Sequence, residues 1–367
     1  MPGNSFGQAL RLTTWGESHG AGGIGGILDG VPPGLFLPID CIQHELDRRR
    51  PGANSFTSPR PESDRVEILS GVFNNKTLGT PIAFQVQNTN QQSKDYDALK
   101  NIFRPGHGDY SYQQKYGLRD HRGGGRSSAR ETIARIVGGA IAKTILTHLF
   151  GKALKVRAAV TQIGIHKINP DSWDWDAVGR NLFSCPDPVT ADLWTSYLTE
   201  IKNQGRSVGA LIEVHATGIP AGLGEPVFDK LDADLAKALM GINAVKGVEI
   251  GQGFSCVDAE SGYDEMAMDA EKVAFLTNQA GGILAGISTG QPIVCRLAIK
   301  PTSSTTAMRQ TVTTDGQNIT TGVAGRHDPC IGIRAIPIVE AMVNLVLADH
   351  ALRWRGQCGG IQIPGSR

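Results

Sequence analysis

Between Arg104 and Glu131 the chain reads RPGHGDYSYQQKYGLRDHRGGGRSSARE. Arg104, Arg119, Arg122, Arg126 and Arg130, with His107 and His121, surround a run of glycines from Gly123 to Gly125. A guanidinium presents a fixed fork of donors that matches phosphate and carboxylate. Glycine lets backbone approach a ligand closely, and a helix start presents unpaired N–H groups. Ser128 and Glu131 have the spacing of a capping box, so a helix is expected to start there, with Ile133, Ile136, Val137, Ala140 and Ile141 as its apolar stripe. The segment reads as a site for an anion, most naturally a phosphate. A solvated basic loop is the plainer alternative, but the arginines here are mixed with His, Gly and Ser rather than with Lys and Glu.

Gly16-Glu17-Ser18-His19-Gly20 has the G-x-S-x-G form of a hydrolase nucleophile elbow, which requires a strand before it and a helix after it. The strand is expected, but Ala21 to Gly30 is glycine-rich and runs into Pro32-Pro33, so no helix follows. The overlapping Gly20 to Gly25 imitates a dinucleotide fingerprint, with Asp40 further on, and fails for the same reason. What survives is a turn that brings Ser18 and His19 to where a ligand could meet the backbone. Glycines on both sides favour a functional His19 over a packing one. Asp47-Arg48-Arg49-Arg50-Pro51 ends an expected helix. Cations suit a helix C-terminus and Pro51 stops it, while so many arginines suit a second anion contact equally well. Lys300-Pro301-Thr302-Ser303-Ser304 brings a cation and hydroxyls to a bent backbone, a cradle for a phosphate or a polar ring. Arg326-His327-Asp328-Pro329 is a further charged cluster, whose plain reading is a local ion pair.

Elements must position these residues. Strands are expected at Leu10–Thr14, Gly26–Leu28, Val66–Leu69, Ile82–Gln87, Ala158–Ile165, Val208–Ala216, Val248–Ile250, Ile283–Ser288 and Ile293–Ile299. Helical patterns fit Asp40–Arg50, Ser128–Leu149, Pro188–Gln204, Asp229–Met240, Asp269–Asn278 and Pro337–Arg353. The strands run in groups, so an α+β architecture is expected rather than a strict βαβ repeat. Asp315-Gly316 is placed to turn a hairpin between Val312–Thr314 and Asn318–Thr320. GGILDG at Gly25–Gly30 and GGILAG at Gly281–Gly286 hint at duplication, though a glycine-rich chain could produce both by chance.

At 367 residues, 40% hydrophobic and 19% charged, the composition is that of an ordinary globular protein. The net charge of +1 argues against a nucleic-acid binder. Cys41, Cys185, Cys256, Cys295, Cys330 and Cys358 form no CxxC pairs, so neither a disulfide framework nor a metal site is expected. MPGNSFGQALRL has no basic region followed by an apolar core, and no stretch reads as apolar for long enough to cross a bilayer. The cytoplasm is the expected compartment.

Seven segments together resemble the chorismate synthase family over nearly the whole chain. They are GESHG at 16–20, DRRRPG at 47–52, the stretch from 104 to 132, PAGLGEPVFDKLDADLAKALMGINAVKGVEIG at 220–251, AGGILAGIS at 280–288, KPTSS at 300–304 and GRHDPCIGIRAIPI at 325–338. The resemblance implies one domain over 1–367 with a loose tail after about 357, folded as a β-α-β sandwich of two pseudo-repeated α/β units. It implies a lyase that converts 5-enolpyruvylshikimate 3-phosphate to chorismate and phosphate with reduced FMN and no net redox change, working as a homotetramer. His19 stands where the family places the acid for the departing phosphate, and Arg49, Arg104 and Arg130 where it holds the substrate's anionic groups. His107 matches the histidine near N1 of the reduced flavin, and Asp328 the carboxylate near N5. Arg126, Ser127, Ser128, Asn243, Ala244, Ala285, Lys300, Pro301, Thr302, Ser303, Ser304 and Arg326 match flavin-contacting positions. A silent homologue would have little need for His19, His107 and Asp328 together. No separate reductase domain is visible, so an external flavin reductase is expected, with NADPH only as a source of reducing equivalents. Two departures stand out. The Gly20–Asp29 run is one residue longer than the family spacing, and Ser55 replaces a frequent arginine, for which Arg60 or Arg48 is expected to substitute.

Overall fold

Residues 3–50, 55–57, 63–89, 93–258, 262–270, 272–323 and 328–359 are described by the computed structural model. Strands β1 (Ser5–Phe6), β2 (Arg11–Trp15) and β3 (Ile24–Asp29) open the chain, and helix α1 (Ile39–Arg49) follows. Next come β4 (Val66–Ile68), the small hairpin β5 (Val72–Phe73) and β6 (Lys76–Thr77), and β7 (Ile82–Val86). Helices α2 (Asp109–Tyr116) and α3 (Thr132–Phe150) lead to β8 (Lys155–Ile163), β9 (His166–Lys167), α4 (Pro188–Asn203), β10 (Ala210–Thr217), α5 (Leu231–Met240) and β11 (Val245–Ile250). Hairpins β12 (Met266–Asp269) with β13 (Lys272–Phe275), and β14 (Ile283–Leu284) with β15 (Ile287–Ser288), precede β16 (Ile293–Ile299). A last hairpin, β17 (Arg309–Val312) with β18 (Asn318–Thr321), leads to helix α6 (Gly332–Cys358).

Two five-stranded antiparallel sheets result, ordered β1-β2-β3-β7-β4 and β11-β16-β10-β8-β9. Their strands alternate because successive side chains point to opposite faces. Along β10 every second residue from Ala210 is buried, and along β16 every second residue from Ile293. The buried faces turn inward onto a helical layer. There α3 packs on β2 and β3, α6 packs on β8 and β10, and the two helices pack on each other. The fold is therefore α+β, a β-α-β sandwich whose two halves each back a sheet with a long helix. One apolar core runs through all three layers. Because sheets cover them, α3 and α6 are apolar nearly all round instead of along one stripe.

Helices α3 and α6 approach closely at Gly139, where a Cβ would lie 2.4 Å from both Cα and Cβ of Ala341. Gly139→Val is therefore expected to cost about 3 kcal/mol of stability through overpacking, read as a lower urea midpoint. A wild-type midpoint would mean that α3 and α6 can part there without loss.

Several expectations need correction. Asp269–Asn278 is not helical but largely the β12–β13 hairpin, whose turn carries Ala270 at a left-handed φ of 52°. The β-favouring Val273 and Phe275 pair across it with Met268 and Met266. Helix α6 starts at Gly332, so Pro337 lies inside it and gives up the bond its N–H would have made to the Ile333 carbonyl. This extra length is why α6, like Ala129–Phe150, is long and apolar enough to cross a membrane, contrary to the sequence expectation. In the fold 89% and 61% of those apolar windows are buried. The GGIL segments do not mark equivalent strands either, since one lies in a main sheet and the other in a two-stranded hairpin. The Asp315-Gly316 hairpin forms as expected, and the tail from 360 lies outside the described residues.

Candidate active site

The glycine run seats two histidines side by side. Gly123, Gly124 and Gly125 all have left-handed φ, at 65°, 92° and 55°. A Cβ on Gly123 would stand 2.2 Å from His19 Nδ1 and 2.7 Å from Ser18 Oγ. A Cβ on Gly124 would stand 2.8 Å from His107 Cε1 and 3.0 Å from its Nε2. Only glycine fits both the dihedrals and the closeness, so histidines distant in sequence meet on adjacent residues of one turn.

His19 and Ser18 are both buried, with Ser18 Oγ 3.0 Å from His19 Nδ1. The Tyr96 ring meets His19 edge-on, with centroids 5.0 Å apart. Asn88 pins their loop by donating from Nδ2 to the carbonyls of Glu17 (3.1 Å) and Gly20 (2.9 Å). Strand β2 runs through this turn into strand β3, so neither the hydrolase elbow nor the dinucleotide fingerprint has its helix, as the prolines implied.

His107 is held by a carboxylate. Asp109 is buried and takes a two-pronged contact from Arg104, from Nε at 2.7 Å and from Nη2 at 2.9 Å. His107 Nδ1 lies 3.0 Å from Asp109 Oδ1 and 3.2 Å from Arg104 Nη2. It cannot donate to one and accept from the other at once. Donation to the carboxylate is the shorter and charge-assisted contact, and it turns Nε2 towards Gly124. Burial alone would raise the Asp109 pKa, but hydrogen bonds from Arg104 and His107 and their charges hold it well below the usual carboxylate range. Arg104, expected at the substrate, thus commits two of its side-chain nitrogens to Asp109 and lies against His107.

The other two expected anion-binding arginines share Asp64. Arg49 Nη1 donates to its Oδ2 at 3.2 Å and Arg130 Nη1 to its Oδ1 at 3.0 Å. Arg130 Nε also donates to Asn88 Oδ1 at 2.6 Å, which links this pair to the His19 loop. On the other side, Arg334 Nε donates to the Arg49 carbonyl (3.3 Å) and its Nη1 to Asp328 Oδ2 (3.0 Å). The loop that carries His19 and the Asp328 carboxylate are therefore joined by one network of polar contacts.

A third group gathers beside His107. Ser303 Oγ donates to the Gly106 carbonyl at 2.8 Å, and Lys300 Nζ donates to the same oxygen. The Lys300 N–H donates to the Ala244 carbonyl at 3.0 Å, and Asn243 Nδ2 to the Ser127 carbonyl at 3.2 Å. Thr302 Oγ1 reaches the Asp328 carbonyl at 3.1 Å. Ala244 has a left-handed φ of 68°, which bends the chain into the patch. Pro301 and Ser304 lie on the same loop, and Ser127 Oγ caps the Gly124 carbonyl at 2.7 Å.

The other expected residues make contacts of their own. Arg126 donates to Thr14 Oγ1 (2.7 Å) and the Gly16 carbonyl (3.2 Å), lining an open cleft of about 550 Å³ with Trp15 and Arg11. Arg119 caps the carbonyls of Leu99, Lys100 and Ile102, and Arg122 pairs with Asp120. Arg48, expected to substitute at Ser55, is instead tied to Glu45 and Glu340, both at 2.6 Å. Ala285 sits in the β14–β15 turn, where neighbouring Gly286 contacts Gly224 and Lys230. Arg326 and Arg60 lie outside the described residues. The capping box is half formed: Ser128 Oγ accepts from the Arg130 N–H, while Glu131 pairs forward with Arg135. Sequence reasoning missed Asp64, Asn88, Asp109 and Arg334. Only Asp109 and Arg334 lay in segments already singled out, and neither had a spacing that named its partner.

A model of the family described as chorismate synthase matches residues 10–352. The chain is 55% identical to the chorismate synthase of Rhodospirillum rubrum, over 98% of this chain and 99% of that one. It is 54% identical to that of Rhodopseudomonas palustris, over 97% and 99%. A solved structure titled as a crystal structure of chorismate synthase superposes with a TM-score of 0.75 at 31% identity, covering 95% of this chain and 94% of that one.

Proposed function

Because the chain belongs to the chorismate synthase family, we infer that it removes phosphate from 5-enolpyruvylshikimate 3-phosphate by a 1,4-anti elimination that needs reduced FMN, giving chorismate. Membership makes it an enzyme, a carbon–oxygen lyase of aromatic amino-acid biosynthesis. The observation that carries the finer reading is the pairing of His19 and His107 on neighbouring glycines, beside a network that ends at Asp328.

Loss of the C3 phosphate builds negative charge on the leaving oxygen, and a positioned acid and fixed cations lower that cost. In this reading His19 gives the proton, with Ser18 Oγ against its Nδ1 to orient the ring. Arg49 and Arg130 bind the phosphate, and Asp328, held by Arg334, handles the proton lost from C6.

The residues beside His107 fit a flavin. Asn243 Oδ1 is buried without a hydrogen-bond partner, an acceptor that suits a ring N–H. Ser127, Ser128, Asn243, Ala244 and Lys300 to Ser304 would hold the group, with Arg126, Ala285 and Arg326 assigned by resemblance. Reduced FMN, when bound, would supply an electron-rich ring that assists departure of phosphate and ends the cycle without net redox change. The Asp109-bound His107 would present a positive charge to that ring, which favours its electron-rich form. A single domain over 1–367, a homotetramer, a cytoplasmic location and an external reductase drawing on NADPH complete the proposal.

The test is an anaerobic assay with chemically reduced FMN and the substrate, following phosphate and chorismate together. Turnover with reduced but not oxidised flavin is expected. Binding of both ligands without turnover would instead mark a silent homologue.

A further inference from the structure

We propose that Asp64 is the internal counter-anion of the phosphate site, a positioning and specificity residue that competes with departing phosphate for the protons of Arg49 and Arg130. The proposal rests on the reading of those arginines as the cations that hold the substrate's phosphate.

The Asp64 side chain is 0% exposed, and those of Arg49 and Arg130 only 4% and 10%. Each of its carboxylate oxygens takes an N–H from a different guanidinium. Its backbone holds a left-handed φ of 42°, which Asp tolerates better than most residues, and its carbonyl accepts from Gln43 Nε2. Two guanidiniums so well shielded from water repel each other unless an anion stands between them. A phosphate dianion can do this, and so can Asp64, but they cannot use the same N–H protons at once.

The exchange works in both directions. Before substrate arrives, Asp64 holds the two forks in place. After elimination, its oxygens recapture them and ease the release of product phosphate. Without that competitor the site would grip any small dianion too tightly, which lowers turnover instead of aiding it. The position also explains why Arg130 is fixed a second time by Asn88, and Arg49 is braced at its carbonyl by Arg334. Those contacts keep the arginines in register while the anion between them changes.

The experiment uses wild type, Asp64→Asn and Asp64→Glu, each titrated calorimetrically with inorganic phosphate and assayed anaerobically with reduced FMN. Asp64→Asn should bind phosphate about tenfold tighter and lose about tenfold in kcat, with KM unchanged or lower. A merely structural role moves these the other way, with weaker phosphate binding and a raised KM. That result, or unchanged phosphate affinity, overturns the proposal. Asp64→Glu keeps the charge and should stay within about threefold of wild type for phosphate. If circular dichroism shows that Asp64→Asn does not fold, Asp64→Glu decides: tightening beyond that range overturns the proposal, and affinity within it supports it. Wild type that neither binds phosphate nor turns over removes the functional reading itself, whereas an active wild type confines any failure to Asp64.

Discussion

His19→Ala is expected to lower kcat by roughly 10²–10⁴-fold, the usual contribution of a positioned general acid. His107 would not readily take over the role, because it is held at Nδ1 by Asp109 and faces the neighbouring glycine. FMN binding should be nearly unchanged, since Lys300, Ser303 and Asn243 gather on the Gly106 and Ser127 carbonyls beside His107. Single-turnover phosphate release with reduced FMN separates the two effects. A variant that keeps wild-type kcat would show that the proton comes from elsewhere and would return His19 to a packing role.

Gly123→Ala is expected to approach the same loss without touching a reactive group. The new methyl would fall 2.2 Å from His19 Nδ1 and 2.3 Å from Cε1, and the φ of 65° costs an alanine about 1–2 kcal/mol. His19 cannot move aside freely, because the ring is buried between Ser18 and Tyr96. The double variant gives the sharper measurement. Once His19 is alanine, the closest clash at Gly123 is gone and only the Ser18 hydroxyl at 2.7 Å and the backbone strain remain, so the second substitution should add less than it costs alone, and the losses should be non-additive. Fully multiplicative losses would mean that Gly123 acts through something other than the His19 ring. A single variant within about threefold of wild type would mean that the turn can shift to admit the methyl.

Much of the fold was legible because it depends on short-range periodicity. Strands β10 and β16 were visible as short β-favouring runs, and their burial alternates along each, while α1 and α4 fall within a residue of their expected bounds. Errors came where local pattern was ambiguous. Asp269–Asn278 can be written as a helix, and only pairing across the turn makes it a hairpin. Pro337 looks like a helix start, but packing between two sheets carries α6 past it. The segments that build the site were also visible, since glycine, arginine, histidine and serine in those orders have few other uses.

The sequence by itself determined which family the chain resembles, and it brought His19, His107, Asp328 and the arginines forward as candidates for the chemistry. Only the tertiary structure decided which carboxylate each guanidinium meets. Arg104 is turned to Asp109, Arg122 to Asp120 and Arg48 to Glu340, while Arg49 and Arg130 converge on Asp64. Arg48 and Glu340 are 292 positions apart, and Arg130 and Asp64 are 66 apart. A buried charge takes whatever opposite charge the packing brings within reach, and packing between distant elements leaves no local spacing to read.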